Sequence, residues 1–138
     1  MKTRILQTIV ILLTIVISNP IRAQIKGSGE ITKRTLQLQE FDAIEIGGAQ
    51  EAVLINGDEF IVVIETNDNL HEYISYEINN KQLRFKYSKI KNYDKMKFYI
   101  TAPVFTKITI SGASELQSAG TLKGEHLRLQ SSGASEAK

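Results

Sequence analysis

From residue 41 onward, apolar and polar side chains alternate with a period of two. Phe41, Ala43, Ile44 and Ile46 flank Asp42 and Glu45, and Val53 and Ile55 bracket Leu54. Leu83, Phe85 and Tyr87 alternate with Arg84 and Lys86, and Phe98 and Ile100 with Lys97, Tyr99 and Thr101. Ile108 and Ile110 then alternate with Lys107 and Thr109, and Leu127 and Leu129 with Arg128 and Gln130. Successive side chains of a strand point to opposite faces, so the pattern predicts strands with one face buried and the other wet. Asn56-Gly57-Asp58 lies between two β-rich runs and predicts a tight hairpin, because Asn and Gly tolerate positive φ. Asn79-Asn80 and Ala102-Pro103 mark further breaks. Only Asp68 to Ser75 has helical spacing, with Leu70, Tyr73 and Ile74 on one face. Its shortness favours a strand or a single turn.

A repeat is laid over this alternation. Ile108-Thr-Ile-Ser-Gly-Ala-Ser-Glu-Leu recurs as Leu129-Gln-Ser-Ser-Gly-Ala-Ser-Glu-Ala, which sets Gly112 and Gly133 21 residues apart. Ile44-Glu-Ile-Gly-Gly-Ala-Gln-Glu-Ala is a related run, with Gly48 64 residues before Gly112, close to three such periods. A fixed period near 20 residues in a strand-rich chain predicts an all-β fold, a right-handed β-helix or β-solenoid of about 21 residues per coil. The glycine would turn the corner of each coil at positive φ.

At these residues the chain resembles the head GIN domain family of auto-transporter adhesins, found widely in Bacteroidetes-type bacteria. The resemblance rests on Phe41-Asp-Ala-Ile-Glu-Ile-Gly-Gly-Ala49, Ile55-Asn-Gly-Asp58, Ala102-Pro103, Ile108-Thr-Ile-Ser-Gly-Ala-Ser114 and Leu127-Arg-Leu-Gln-Ser-Ser-Gly-Ala-Ser135. It implies an exported, β-helix-like domain. Members of the family continue through more Ser-Gly coils, whereas this sequence stops at Lys138. An uncapped C-terminal end, open to self-association through its strand edge, is therefore expected.

The N-terminus carries the layout of a secretory signal peptide. A basic start, Met1-Lys-Thr-Arg4, precedes an apolar run from Ile5 to Ile17, then Pro20 and Ala23-Gln24. Cleavage is expected after Ala23, although Ile21 is bulkier than the residue usual at that offset. The alternative, an uncleaved anchor, is disfavoured because the run is shorter than the roughly 20 residues that span a bilayer. The expected organisation is thus a leader over residues 1–23 and a β domain over 24–138.

Composition narrows the chemistry. The chain holds no cysteine, which removes disulfides, thiolate sites, a thiol nucleophile and a lipid-modified cysteine. Beyond residue 23, fourteen basic residues face fifteen acidic ones, a net charge of about −1 that gives no reason to expect nucleic acid or an anionic membrane as partner. Locally, Lys81 to Lys97 gathers Lys81, Arg84, Lys86, Lys89, Lys91, Lys95 and Lys97 around Tyr87 and Tyr93 against a single Asp94. Such a run would suit an acidic glycan, or would form the solvated face of edge strands.

No catalytic constellation emerges. His71 and His126 lack neighbours at ligand spacing and read as surface histidines. Gly27-Ser28-Gly29 lacks the lysine of a phosphate loop. Ser111, Ser114, Ser132 and Ser135 lack a matched histidine and carboxylate. No cofactor is implied. If the coils stack in register, Glu115 and Glu136, extended by Glu51, would form a ladder of like charges; a calcium ion would relieve it, but too few oxygen ligands accompany it. Ser111, Ser114, Ser132 and Ser135 would instead line a polar, small-residue ridge with Glu115 and Glu136, able to meet a glycan or a protein. Tyrosines 73, 76, 87, 93 and 99 could stack on sugars if they align. The expectation is therefore an exported, non-enzymatic binding or adhesion module, with Lys86, Lys89, Tyr87 and Tyr93 as further contacts. An envelope assembly protein is the alternative, and a carbohydrate-active enzyme a more distant one.

Overall fold

The computed structural model of the protein describes residues 24–87 and 89–138; the expected leader lies outside the described residues. The alternating segments form strands β1 (Ile25–Lys26), β2 (Ile31–Gln37), β3 (Ala43–Ile46), β4 (Glu51–Asn56), β5 (Ile61–Asn67), β6 (Ser75–Asn79) and β7 (Gln82–Lys86). They continue as β8 (Ile90–Asn92), β9 (Met96–Ala102), β10 (Lys107–Ile110), β11 (Glu115–Ser118), β12 (Arg128–Ser131) and β13 (Glu136–Ala137). The helically spaced stretch is a 3-10 helix, Asp68–Tyr73, whose Leu70 is buried.

Two sheets face each other, in the orders β12-β10-β3-β7-β6 and β13-β11-β4-β9-β5-β2, and β1 pairs with β8 apart from them. Among the described residues the fold is all-β with no closed barrel. Its organising feature is a strand–corner–strand unit that sends one strand to each sheet. Four units lie side by side in parallel: β7/β9, β3/β4, β10/β11 and β12/β13. Antiparallel β6, β5 and β2 complete the far side.

Two expectations need correction. The register pairs Lys107 with Arg128, the expected 21-residue step, but it also pairs Ala43 directly with Lys107. The 64-residue interval is therefore one step between adjacent units, not three coils. The intervening chain leaves the stack to build β5, β6, β7 and β9 on the other side of β3/β4. Asn56-Gly57-Asp58 is likewise not a hairpin, because β9 lies between β4 and β5, parallel to one and antiparallel to the other. Asn56 staples loops instead. Its Nδ2 donates to the Pro103 carbonyl at 3.1 Å, and its Oδ1 accepts from the Lys123 N–H at 2.7 Å. The Asn79-Asn80 break is the tight hairpin, joining β6 to β7 with Asn80 and Lys81 at φ 50° and 60°.

The inward positions meet between the sheets. Ile44, Ile46, Leu83, Ile108 and Ile110 on one side pack with Leu54, Val62, Ile64, Phe98 and Ile100 on the other, all fully buried. Phe85 and Phe98 bring their rings to 4.4 Å between centroids. Burial of each large side chain contributes about 1.5–3 kcal/mol. Because this core fixes which residues face inward, it also fixes which face outward.

Candidate functional site

The repeated Ser-Gly-Ala-Ser-Glu runs turn the corners of stacked units. Gly48, Gly112 and Gly133 adopt φ of +91°, +75° and +76°. The Ala113 N–H donates to the Gly48 carbonyl at 2.7 Å, and the Ala134 N–H to the Gly112 carbonyl at 2.8 Å. A Cβ on Gly133 would come 2.7 Å from the Gly112 oxygen, and one on Gly112 would press on the Gly48 carbonyl. Glycine is thus required by backbone angle and by close approach together.

The corner serines divide. Ser114 and Ser135, expected on the exposed ridge, turn back onto their own corners. Ser114 Oγ donates to the Ser111 carbonyl at 2.8 Å and is buried, and Ser135 Oγ donates to the Ser132 carbonyl at 3.0 Å. Gln50 holds the matching place in β3/β4, also buried. Ser132 is exposed and Ser111 partly so.

The tyrosines do not form a row. Tyr87 donates its hydroxyl to the Gly47 carbonyl and Tyr93 to the Ala49 carbonyl, so both rings cover the first glycine corner. Burial pushes the Tyr87 phenol up to about 12, with Tyr93 adding to the effect. Tyr99 sits on the outward face of the other sheet, donating to Glu65 at 2.9 Å between Lys33 and Lys97. Tyr73 and Tyr76 are exposed on and after the 3-10 helix.

The basic run from Lys81 to Lys97 is largely neutralised. Lys81 pairs with Glu40 at 2.7 Å, Arg84 with Glu45, Lys86 with Glu77 at 2.5 Å, Lys95 with Glu65 at 3.1 Å and Lys97 with Glu51 at 3.3 Å. Lys89 is exposed, and its carbonyl accepts from the Ile25 N–H. Glu51, Glu115 and Glu136 do stand in register. Lysines stand beside this ladder: Lys97 meets Glu51, and Lys138 reaches Glu115 at 3.1 Å and Glu136 at 3.3 Å. Hydrogen bonds from Gln117 and then Lys138 hold the Glu115 carboxyl below its ordinary value. Among the described residues no group of three or more His, Asp or Glu is placed to hold a metal ion.

His71, expected at the surface, is half-buried. Its Nε2 lies 2.9 Å from Thr32 Oγ1 and its Nδ1 is buried. His126 is exposed.

The outward face of β10 and β12 was not singled out by sequence reading. Parity turns Lys107, Thr109 and Ser111 outward on one strand and Arg128, Gln130 and Ser132 on the next. The register sets Lys107 beside Arg128 and Thr109 beside Gln130. The 21-residue repeat already held this pairing, had it been carried past the glycine to the polar positions.

Comparison with known proteins places this architecture. Residues 40–138 match the family described as "Putative auto-transporter adhesin, head GIN domain". The chain belongs to this family. Solved structures similar to this head GIN domain include a "putative adhesin" from Parabacteroides distasonis (TM-score 0.78, 18% identity, covering 83% of this chain and 49% of that one). Another is a "putative adhesin" from Bacteroides fragilis (TM-score 0.75, 22% identity, 83% and 55% covered). A "putative lipid binding protein" from P. distasonis aligns at TM-score 0.59 and 14% identity, with 69% and 43% covered. At these identities the likeness shows the fold. The head GIN domain chain spans about half the length of the solved structures it matches. No curated protein matches it.

Proposed function

We propose that the chain is an exported, non-enzymatic binding module of the cell envelope that meets a glycan or a cell-surface protein through the outward face of β10 and β12. In this reading the stacked units are rungs of a short β-helix, right-handed as parallel crossovers generally are. The observation that carries it is the parallel register, which matches Lys107 with Arg128 and Thr109 with Gln130 in two polar columns on a rigid strand pair. A sheet backed by a buried core holds such groups at fixed spacing, which lowers the ordering cost of binding. The family's adhesin description and the adhesin names of its structural neighbours support the same reading. The leader-like N-terminus supports export.

The test is a glycan array probed with the exported form of the chain, with its mass followed by light scattering. Saturable binding by a monomer, weakened by Thr109→Ala with Gln130→Ala, is the expected result. Absence of binding, with mass growing on concentration, would favour assembly through the edges of β12 and β13, where Leu127 and Leu129 are 47% and 51% exposed. Turnover of any polysaccharide would overturn the non-enzymatic reading.

A further inference from the structure

Two basic residues of the sheets meet glutamates across the ladder: Arg84 stands opposite Glu45, and Lys97 stands between Glu51 and Glu65. Lys107 is different. Its cross-strand neighbours are Arg128 on one side and Ala43 on the other. Neither Lys107 nor Arg128 makes an ion pair among the described residues. Like charges directly opposite on neighbouring strands are destabilising, yet the register holds these two together on the outward face. A groove of about 900 Å³ runs past them, lined also by Thr106, Glu125 and His126. Glu125 makes no ion pair with either cation.

We infer that Lys107 and Arg128 form an anion subsite that takes the carboxylate or sulfate groups of an acidic polysaccharide, an inference that rests on the binding-module reading above. The strand spacing of about 4.8 Å lets the two cations share one anionic group. Arg128 supplies a planar fork that grips it through two parallel bonds, and Lys107 supplies a point charge. The anion removes the repulsion that the register imposes. From this pair, Thr109 and Gln130 and then Ser111 and Ser132 continue along the strands as hydroxyl and amide partners. That row suits the hydroxyls of a sugar chain. A single exposed charge contact is weak and salt-sensitive, so affinity requires a polymer that repeats its acidic groups along one chain.

The experiment expresses the chain with residues 1–23 in place, recovers it from the exported fraction, and measures binding to polygalacturonate, heparin and neutral dextran. The acidic polymers bind and dextran does not, and rising salt weakens the binding. Lys107→Gln with Arg128→Gln lowers affinity roughly tenfold or more, whereas Lys26→Gln with Lys33→Gln, at exposed positions on β1 and β2, leaves it unchanged. Circular dichroism confirms folding, and Lys107→Arg retains binding. A preference for polygalacturonate identifies the anion as carboxylate, and one for heparin as sulfate. Binding of dextran, or acidic binding untouched by the double variant, overturns the anion subsite and leaves the module reading in place. Failure to bind these polymers overturns the anion subsite, and failure on the glycan array as well overturns the glycan half of the module reading.

Discussion

At the scale of single residues, the corner glycines and corner serines separate what was legible in the sequence from what was not. The repeat marked Gly112 and Gly133 as turning points, and both sit at positive φ. Periodicity could not reveal that the same atoms are also closed in by the corner before them. The distinction is measurable. Gly120 has φ +127° and open space around an added Cβ, whereas Gly112 has positive φ and the Gly48 backbone against it. Gly120→Ala should show only the cost of backbone angle, about 1–3 kcal/mol. Gly112→Ala should cost clearly more by chemical denaturation, and equal costs would remove the close-approach argument. Ser114 and Ser135 were legible as corner residues but not as inward-turned ones. Their side-chain direction depends on hydrogen bonds to the carbonyl three residues back, which period-two patterning does not encode.

Among elements, alternation located the strands well and their neighbours poorly. The misread hairpin at Asn56-Gly57-Asp58 and the misread 64-residue interval have one cause. The excursion through β5 to β9 inserts β9 beside β4, and no local signal announces a partner some 46 residues away in register. Charge followed from this. The run from Lys81 to Lys97 looked unbalanced because its glutamates arrive from elsewhere in the chain, at 45, 51, 65 and 77 from other strands and at 40 from the loop before β3. The ladders carry a pH dependence. For Glu65, burial works to raise the pKa, but hydrogen bonds from Lys95 and Tyr99 outweigh it and hold the group below 4.5. Glu115 is also held below 4.5, by Gln117 and Lys138. A lowered folded-state pKa contributes stability that is full above the ordinary value and is lost as pH falls through the folded value. The denaturation midpoint should therefore drop as pH falls below about 4.5. Lys138→Ala should flatten part of that drop, and an unchanged acid slope would show that its pairing with Glu115 adds nothing to the linkage.

Across the whole molecule, the two layers are unequal. One sheet buries its inward face and neutralises most of its outward charge by cross-strand pairing. The other ends in two strands whose polar columns stand in register with two cations left over. The all-β class and the family resemblance were both legible, because alternation and the glycine repeat survive in the sequence regardless of strand order. The face of β10 and β12 was not, since it exists only once the register is known. The cysteine-free chain allows this face to be tested directly. A single Gln130→Cys, modified with a bulky polyethylene glycol maleimide, places an obstacle between the two columns. Thr35→Cys on β2 places the same obstacle on the other sheet, where Thr35 is paired with Val63 and exposed. Binding of the exported chain to its array ligands should be abolished by modification at position 130 and retained after modification at position 35. Retention at 130 with loss at 35 would contradict the assignment of the binding face to β10 and β12.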